Sequence, residues 1–105
     1  MAVVRFAPFA SEGHPLKALL HTKPYTLEYA DVPEPEVGPD DVLVRVRACG
    51  ICGSDVQGYT GRTGRRLPPM VMGHEAAGVV ERCGERVAGF TPGDRICFDS
   101  TVYCN

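Results

Sequence analysis

Val42-Leu43-Val44-Arg45-Val46-Arg47-Ala48-Cys49 decides how this chain is read. Val42, Val44, Val46 and Ala48 place small or β-branched apolar groups at every second position, while Arg45 and Arg47 fall on the other face with Leu43. Side chains of an extended strand alternate between its two faces, so this period of two predicts a strand with one face on a core. Gly50 and Gly53 follow and let the chain leave the strand sharply. Residues 54–57 can form a short helix, stopped at Gly58.

The flanks read the same way. Residues 18–21 are apolar and predict a first strand, broken at Lys23-Pro24. Residues 26–30 are β-prone, with Leu27 and Tyr29 alternating against Glu28. Residues 32–41 hold Pro33, Pro35, Gly38 and Pro39, which makes them an extended, irregular connector. Residues 61–69 are loop, residues 71–83 a strand entered through Gly73-His74-Glu75, and residues 95–98 another short strand. Residues 1–15 show no clear period and predict a loose extension before a domain spanning 16–105. Nine prolines and twelve glycines punctuate the 105 residues too often for long helices. The expectation is a mainly β, mostly antiparallel domain with one short helix.

Composition narrows the function. With 44% hydrophobic and 23% charged residues, the chain has material for one modest core. A net charge of −2 gives no field for nucleic acid or an anionic membrane. The cluster Arg62, Arg65 and Arg66 reads as a solvated loop. No apolar run approaches the roughly 20 residues a bilayer span requires, and Arg5 interrupts what would be a signal peptide. Five cysteines, an odd number, do not suit a secreted disulfide framework. A reducing cytoplasm is the expected setting, with the thiols free for metal or packing.

Two stretches hold chemistry: Cys49-Gly50-Ile51-Cys52-Gly53-Ser54-Asp55 and Gly73-His74-Glu75. Thiolate sulfur and imidazole nitrogen are both good zinc ligands. By spacing alone, Cys49 and Cys52 read as a redox pair, half a zinc ribbon or buried structural cysteines. His74-Glu75 opens like a metalloprotease motif, but Gly78 stands where that motif needs its second histidine. Cys49, Cys83 and Cys97 sit in apolar runs and read as core. His14 and His21 read as surface or turn residues, and Tyr59 as packing or pocket lining.

Cys-Gly-Ile-Cys-Gly-Ser-Asp, then Gly-His-Glu-Ala-Ala-Gly-Val-Val-Glu, then Gly-Asp-Arg, in this order, resembles the catalytic domain of zinc-dependent medium-chain alcohol and polyol dehydrogenases. The branch is that of sorbitol and threonine dehydrogenases, and the likeness runs from about residue 16 to 105. It implies a GroES-like, partly open β barrel. It implies Cys52 and His74 as ligands of a catalytic Zn2+, with Glu75 beside the metal able to approach or replace a ligand. Ser54 corresponds to the hydroxyl that hydrogen-bonds the substrate alcohol and takes its proton, and Asp55 to a carboxylate that orients His74. It also implies an alcohol or polyol substrate, NAD or NADP as hydride carrier, and a homo-oligomeric enzyme.

The chain departs from the family at several points. Gln57 stands where many relatives carry a histidine that finishes the proton relay. The third zinc ligand and the nucleotide-binding domain are absent from these 105 residues. No G-x-G-x-x-G occurs, and Gly58, Gly61 and Gly64 have the wrong spacing for one. Cys104 matches the first of four cysteines of the family's structural zinc site and is a remnant of it. The expectation is therefore a fragment, an oxidoreductase's catalytic domain inactive by itself. The rival reading is a stand-alone GroES-like module that binds zinc or another subunit without catalysis. A co-chaperonin would leave Cys52, Ser54, His74 and Glu75 without purpose and ranks last.

Overall fold

The structure, a computed structural model, describes residues 3–7, 16–64, 66–98 and 100. Among these residues, seven strands and one helix follow in the order β1 (Val3–Ala7), β2 (Leu16–Lys23), β3 (Thr26–Val32), β4 (Asp41–Gly50), α1 (Gly53–Tyr59), β5 (Met70–Val71), β6 (Glu75–Cys83) and β7 (Arg95–Cys97). They form a four-stranded sheet, β1-β4-β6-β7, and a three-stranded sheet, β3-β2-β5. The two sheets stay separate, so the β structure is open, as the sequence led us to expect. His14, Arg65 and Cys104 lie outside the described residues.

β4 is the central element, and it departs from the one-faced strand expected. Val42 and Val44 pack with Val80 of β6, and Val87 and Ile96 close over them. Leu43, placed by periodicity with the arginines, is 1% exposed and packs on Leu16 of β2, backed by Val32 and Val37. Successive residues of one strand thus feed two cores, and the Leu43–Leu16 contact joins the two sheets. Periodicity reports alternation, not how many faces are covered; here the second face is covered by the hairpin β2–β3. Farther along β4 the alternation returns to solvent, with Arg47 and Ala48 exposed.

Residues 3–7 correct the expectation of a loose extension. They form β1, parallel to β4, with Val3 opposite Asp41 and Ala7 opposite Arg45. The run Val-Val-Arg-Phe is rich in residues that suit a pleated surface. It pairs along an edge of β4 that would otherwise offer unpaired N–H and C=O groups.

His21 is a second correction. It is fully buried rather than at the surface, 6.4 Å from the Tyr59 ring, and neither ring nitrogen has a partner among the described residues. His21 pairs with Leu27 in the same register as Leu16 with Val32, so it lies on the face of β2 opposite Leu16 and Ala18, and that face is covered where the Tyr59 ring approaches. The cysteines differ too. Cys83 packs on the Val42 cluster, but Cys49 and Cys97 are exposed. Both lie on strand segments with one open face, where an apolar neighbourhood in sequence does not become burial.

On the solvent side of the β4–β6 ladder, Arg45 grips Glu81 with two donors, Nε at 3.2 Å and Nη2 at 2.5 Å. The Arg45 hydrogen bonds hold the Glu81 carboxyl below its ordinary value of 4.5, against a smaller opposing effect of burial. A depressed folded-state pKa means the pair's stabilisation is complete above about 4.5 and is lost as the pH falls through the lowered value. Both side chains are about one third exposed, so Glu81→Gln should cost only about 0.2–1 kcal/mol at pH 7. In urea unfolding the two proteins should differ fully at pH 7, and the difference should shrink as the pH is lowered below 4.5.

Candidate metal centre

Cys52 and His74 leave the same end of the β4–β6 ladder. Gly50, the last residue of β4, pairs with Glu75, the first of β6. Cys52 lies two residues beyond one strand and His74 one residue before the other, so the antiparallel register cancels their separation in sequence. A bulge at Arg47, between the Val46–Gly78 and Ala48–Ala77 pairs, bends the end of β4 that carries this turn. Gly73 completes the approach. Its φ of +113° is open to glycine and strained for other residues. A Cβ there would also sit 2.7 Å from Cys49 Sγ.

The side chains meet. Cys52 Sγ is 3.2 Å from His74 Nε2, and Ser54 Oγ is 3.0 Å from the sulfur and 3.3 Å from the nitrogen. Two ligands on one tetrahedral zinc, at bond lengths of about 2.3 and 2.0–2.1 Å, stand roughly 3.5 Å apart. A thiolate and an imidazole at 3.2 Å therefore fit a shared cation with a small outward adjustment.

Asp55 is buried beneath them and belongs to the same group of metal-capable atoms, all within 4.8 Å of one another. Its oxygens are occupied, however. Oδ2 accepts the Cys52 N–H at 3.1 Å, reaching back over the first turn of α1 as a capping residue does. Oδ1 accepts from Arg66 Nη1 at 2.9 Å and lies 3.2 Å from His74 Nδ1. Burial works to raise the Asp55 pKa, but the Cys52 N–H and the charges of His74 and Arg66 outweigh it and leave it below the ordinary value. Asp55 is thus a carboxylate aimed at the back of the imidazole.

The His74 tautomer decides which of these neighbours the ring bonds. With hydrogen on Nδ1, the ring donates to Asp55 and turns a bare Nε2 toward Cys52 Sγ, the form a metal requires. With Nδ1 bare, it accepts instead from Arg66 Nη2, 3.1 Å away, and Nε2–H faces the sulfur.

Of the residues singled out by sequence, the structure gathers Cys52, Ser54, Asp55 and His74. Glu75 does not join them; it is exposed at the start of β6, its carboxylate lying against Gly50. Gln57 is exposed on α1. Arg66 was missed. It reads as one of three loop arginines, yet its side chain is only 20% exposed and donates to Asp55 and to Ser54 Oγ, each at 2.9 Å. A periodic pattern gives no sign of it, because the loop after α1 has none.

Beside the cluster opens an apolar cleft of about 1000 Å³, lined by Asp55, Val56, Tyr59, Val71 and Phe98 among others. Tyr59 is both lining and clamp. Its hydroxyl donates to the Tyr25 carbonyl at 2.8 Å, and the Tyr25 N–H donates back to the Tyr59 carbonyl at 2.8 Å. This pins the tip of the β2–β3 hairpin to the end of α1. Among the described residues, no helix is long and apolar enough to cross a membrane.

Known proteins resemble this chain. Mouse sorbitol dehydrogenase is 42% identical over 95 residues, covering 88% of this chain and 26% of its own length. L-threonine 3-dehydrogenase of Cronobacter sakazakii is 42% identical over 93 residues, covering 85% and 27%. Among solved structures, a zinc-dependent alcohol dehydrogenase 2 of Streptococcus pneumonia, in its apo form, superposes with a TM-score of 0.72 at 33% identity, over 77% of this chain and 24% of that one. The chain thus spans about a quarter of the length of the curated relatives it matches. The profile of the alcohol dehydrogenase GroES-like domain matches residues 38–105, a stretch that takes in β4, α1, β6 and both sides of the cluster. The chain belongs to that family.

Proposed function

We propose that this chain is the metal-holding part of a zinc-dependent alcohol or polyol dehydrogenase. The 3.2 Å approach of Cys52 Sγ to His74 Nε2, beside an apolar cleft whose wall includes Asp55, carries the reading. These two residues hold the cation, and the third protein ligand of a catalytic site comes from the remainder of the enzyme. Zinc bound there supplies Lewis-acid polarisation of a substrate oxygen.

The chain's own groups do the rest. Ser54 Oγ touches both ligand atoms and is exposed, so its hydroxyl is placed to hydrogen-bond an alcohol oxygen presented to them and to relay its proton, passing its own hydroxyl proton on to solvent. Asp55 holds the imidazole in the Nδ1–H form. Zinc does not change oxidation state, so a nicotinamide, NAD or NADP, carries the hydride. Its site is proposed in the remainder of the enzyme. Four free cysteines among the described residues suit a reducing compartment, and we place the protein in the cytoplasm.

The test uses the product of the full reading frame that contains this chain, screened with alcohols and polyols and both nicotinamides. Oxidation that is lost on chelation and in His74→Ala is the expected result. Stoichiometric zinc with no oxidation of any alcohol would leave a metal-binding module and overturn the enzyme reading.

A further inference from the structure

We propose that Arg66 is the positioning residue of this metal centre, and that α1 carries glycine at position 58 to seat it. The inference rests on the reading of Cys52 and His74 as ligands. One guanidinium touches three members of the cluster: Nη1 donates to Asp55 Oδ1 at 2.9 Å, Nη2 donates to Ser54 Oγ at 2.9 Å, and Nη2 lies 3.1 Å from His74 Nδ1. Asp55 and Ser54 are on α1, whereas His74 precedes β6. Arg66 therefore fixes Asp55 and Ser54 together on α1, and Asp55 in turn reaches across to His74 Nδ1 at 3.2 Å, on the segment that must meet α1 for Cys52 and His74 to share a cation.

Gly58 is the independent observation. It is buried on α1, and a Cβ placed on it would stand 2.3 Å from Arg66 Cδ and 3.3 Å from both Cβ and Cγ. The arginine stem thus crosses the helix where the helix is bare. Along that path the planar fork reaches Asp55 and Ser54 together.

The sign of the effect needs deciding, since a cation beside a cation repels it. Arg66 is paired with the Asp55 carboxylate, which offsets its charge at the site. The Nδ1–H form of His74 sacrifices only the Arg66–Nδ1 contact, and the bonds to Asp55 and Ser54 remain. Positioning wins, so Arg66 favours metal binding.

Cobalt(II) titration of this chain, followed by its visible absorption, tests the proposal. Arg66→Ala should weaken cobalt binding about 10- to 100-fold, the usual effect of removing a group that orients a ligand. Arg66→Lys should recover part of the loss, because one ammonium can meet Asp55 without also reaching Ser54. Gly58→Ala should weaken binding as well, although alanine is the better helix former by about 1 kcal/mol. A merely structural helix position would respond with the opposite sign. Unchanged or tighter binding in Arg66→Ala, with the wild type binding normally, overturns the role of Arg66 and leaves the metal centre standing. A wild type that binds no cobalt removes the metal centre and this inference with it.

Discussion

Cys52→Ser should abolish the sulfur-to-metal charge-transfer absorption of the cobalt-loaded chain and weaken cobalt binding by more than about 100-fold. That exceeds the 10- to 100-fold expected from losing an orienting partner, because a ligand itself is removed. The thiolate is one of two donors converging on the cation position, since both Asp55 oxygens are engaged elsewhere. Serine offers a hydroxyl that stays protonated at neutral pH and binds zinc-like cations poorly. The fold should survive. Cys52 stands at the N-cap of α1, and serine is among the favoured residues there. The backbone bonds at the cap, Asp55 N–H to Cys52 O at 3.1 Å and Cys52 N–H to Asp55 Oδ2 at 3.1 Å, do not involve the sulfur. Retention of the charge-transfer band in Cys52→Ser would place the metal elsewhere.

The second large effect concerns the fold. Leu43→Ala should cost about 2–5 kcal/mol, the range for emptying a buried leucine site. Leu43 is 1% exposed and its partners Leu16 and Val32 belong to the hairpin strands of the other sheet. The substitution therefore leaves a void at the contact that joins the sheets, with little backbone free to close it. A domain of this size has roughly 5–15 kcal/mol of stability in total, so the urea midpoint should fall steeply. Leu67, 71% exposed, is the control: Leu67→Ala should stay within about 0.5 kcal/mol. Equal effects at the two leucines would mean that β4 has one buried face, as its alternation suggests.

That contrast shows what a linear pattern can and cannot carry. The strand at β4, the irregular connector after β3, the short helix after Cys52 and the strand after His74 were all legible, because period, proline and glycine act locally. Leu43 was assigned to the wrong environment, since its burial is supplied by a hairpin from another part of the chain. His21 was read as surface for the same reason: the second face of β2 is covered from elsewhere in the chain, where the Tyr59 ring of α1 approaches it. Cys49 and Cys97 erred in the other direction, their apolar neighbours giving no cover on the open face. β1 was missed because a five-residue run acquires its meaning only from the strand edge it pairs with.

The proposed metal site divides along the same line. Residue types offered Cys52 and His74 as possible ligands but left a redox pair or buried cysteines open. The roles of Ser54, Asp55 and Glu75 came only from the family resemblance, because side-chain chemistry by itself does not say which groups meet. Geometry was decided in three dimensions. The Gly50–Glu75 pairing brings the ligands together, the hydrogen bonds of Asp55 make it an orienting group, and the ladder leaves Glu75 outside the cluster. Arg66 belongs wholly to the tertiary structure. An arginine in a loop carries no signal of its own, and its place in the site exists only because a bare turn of helix lies across its path.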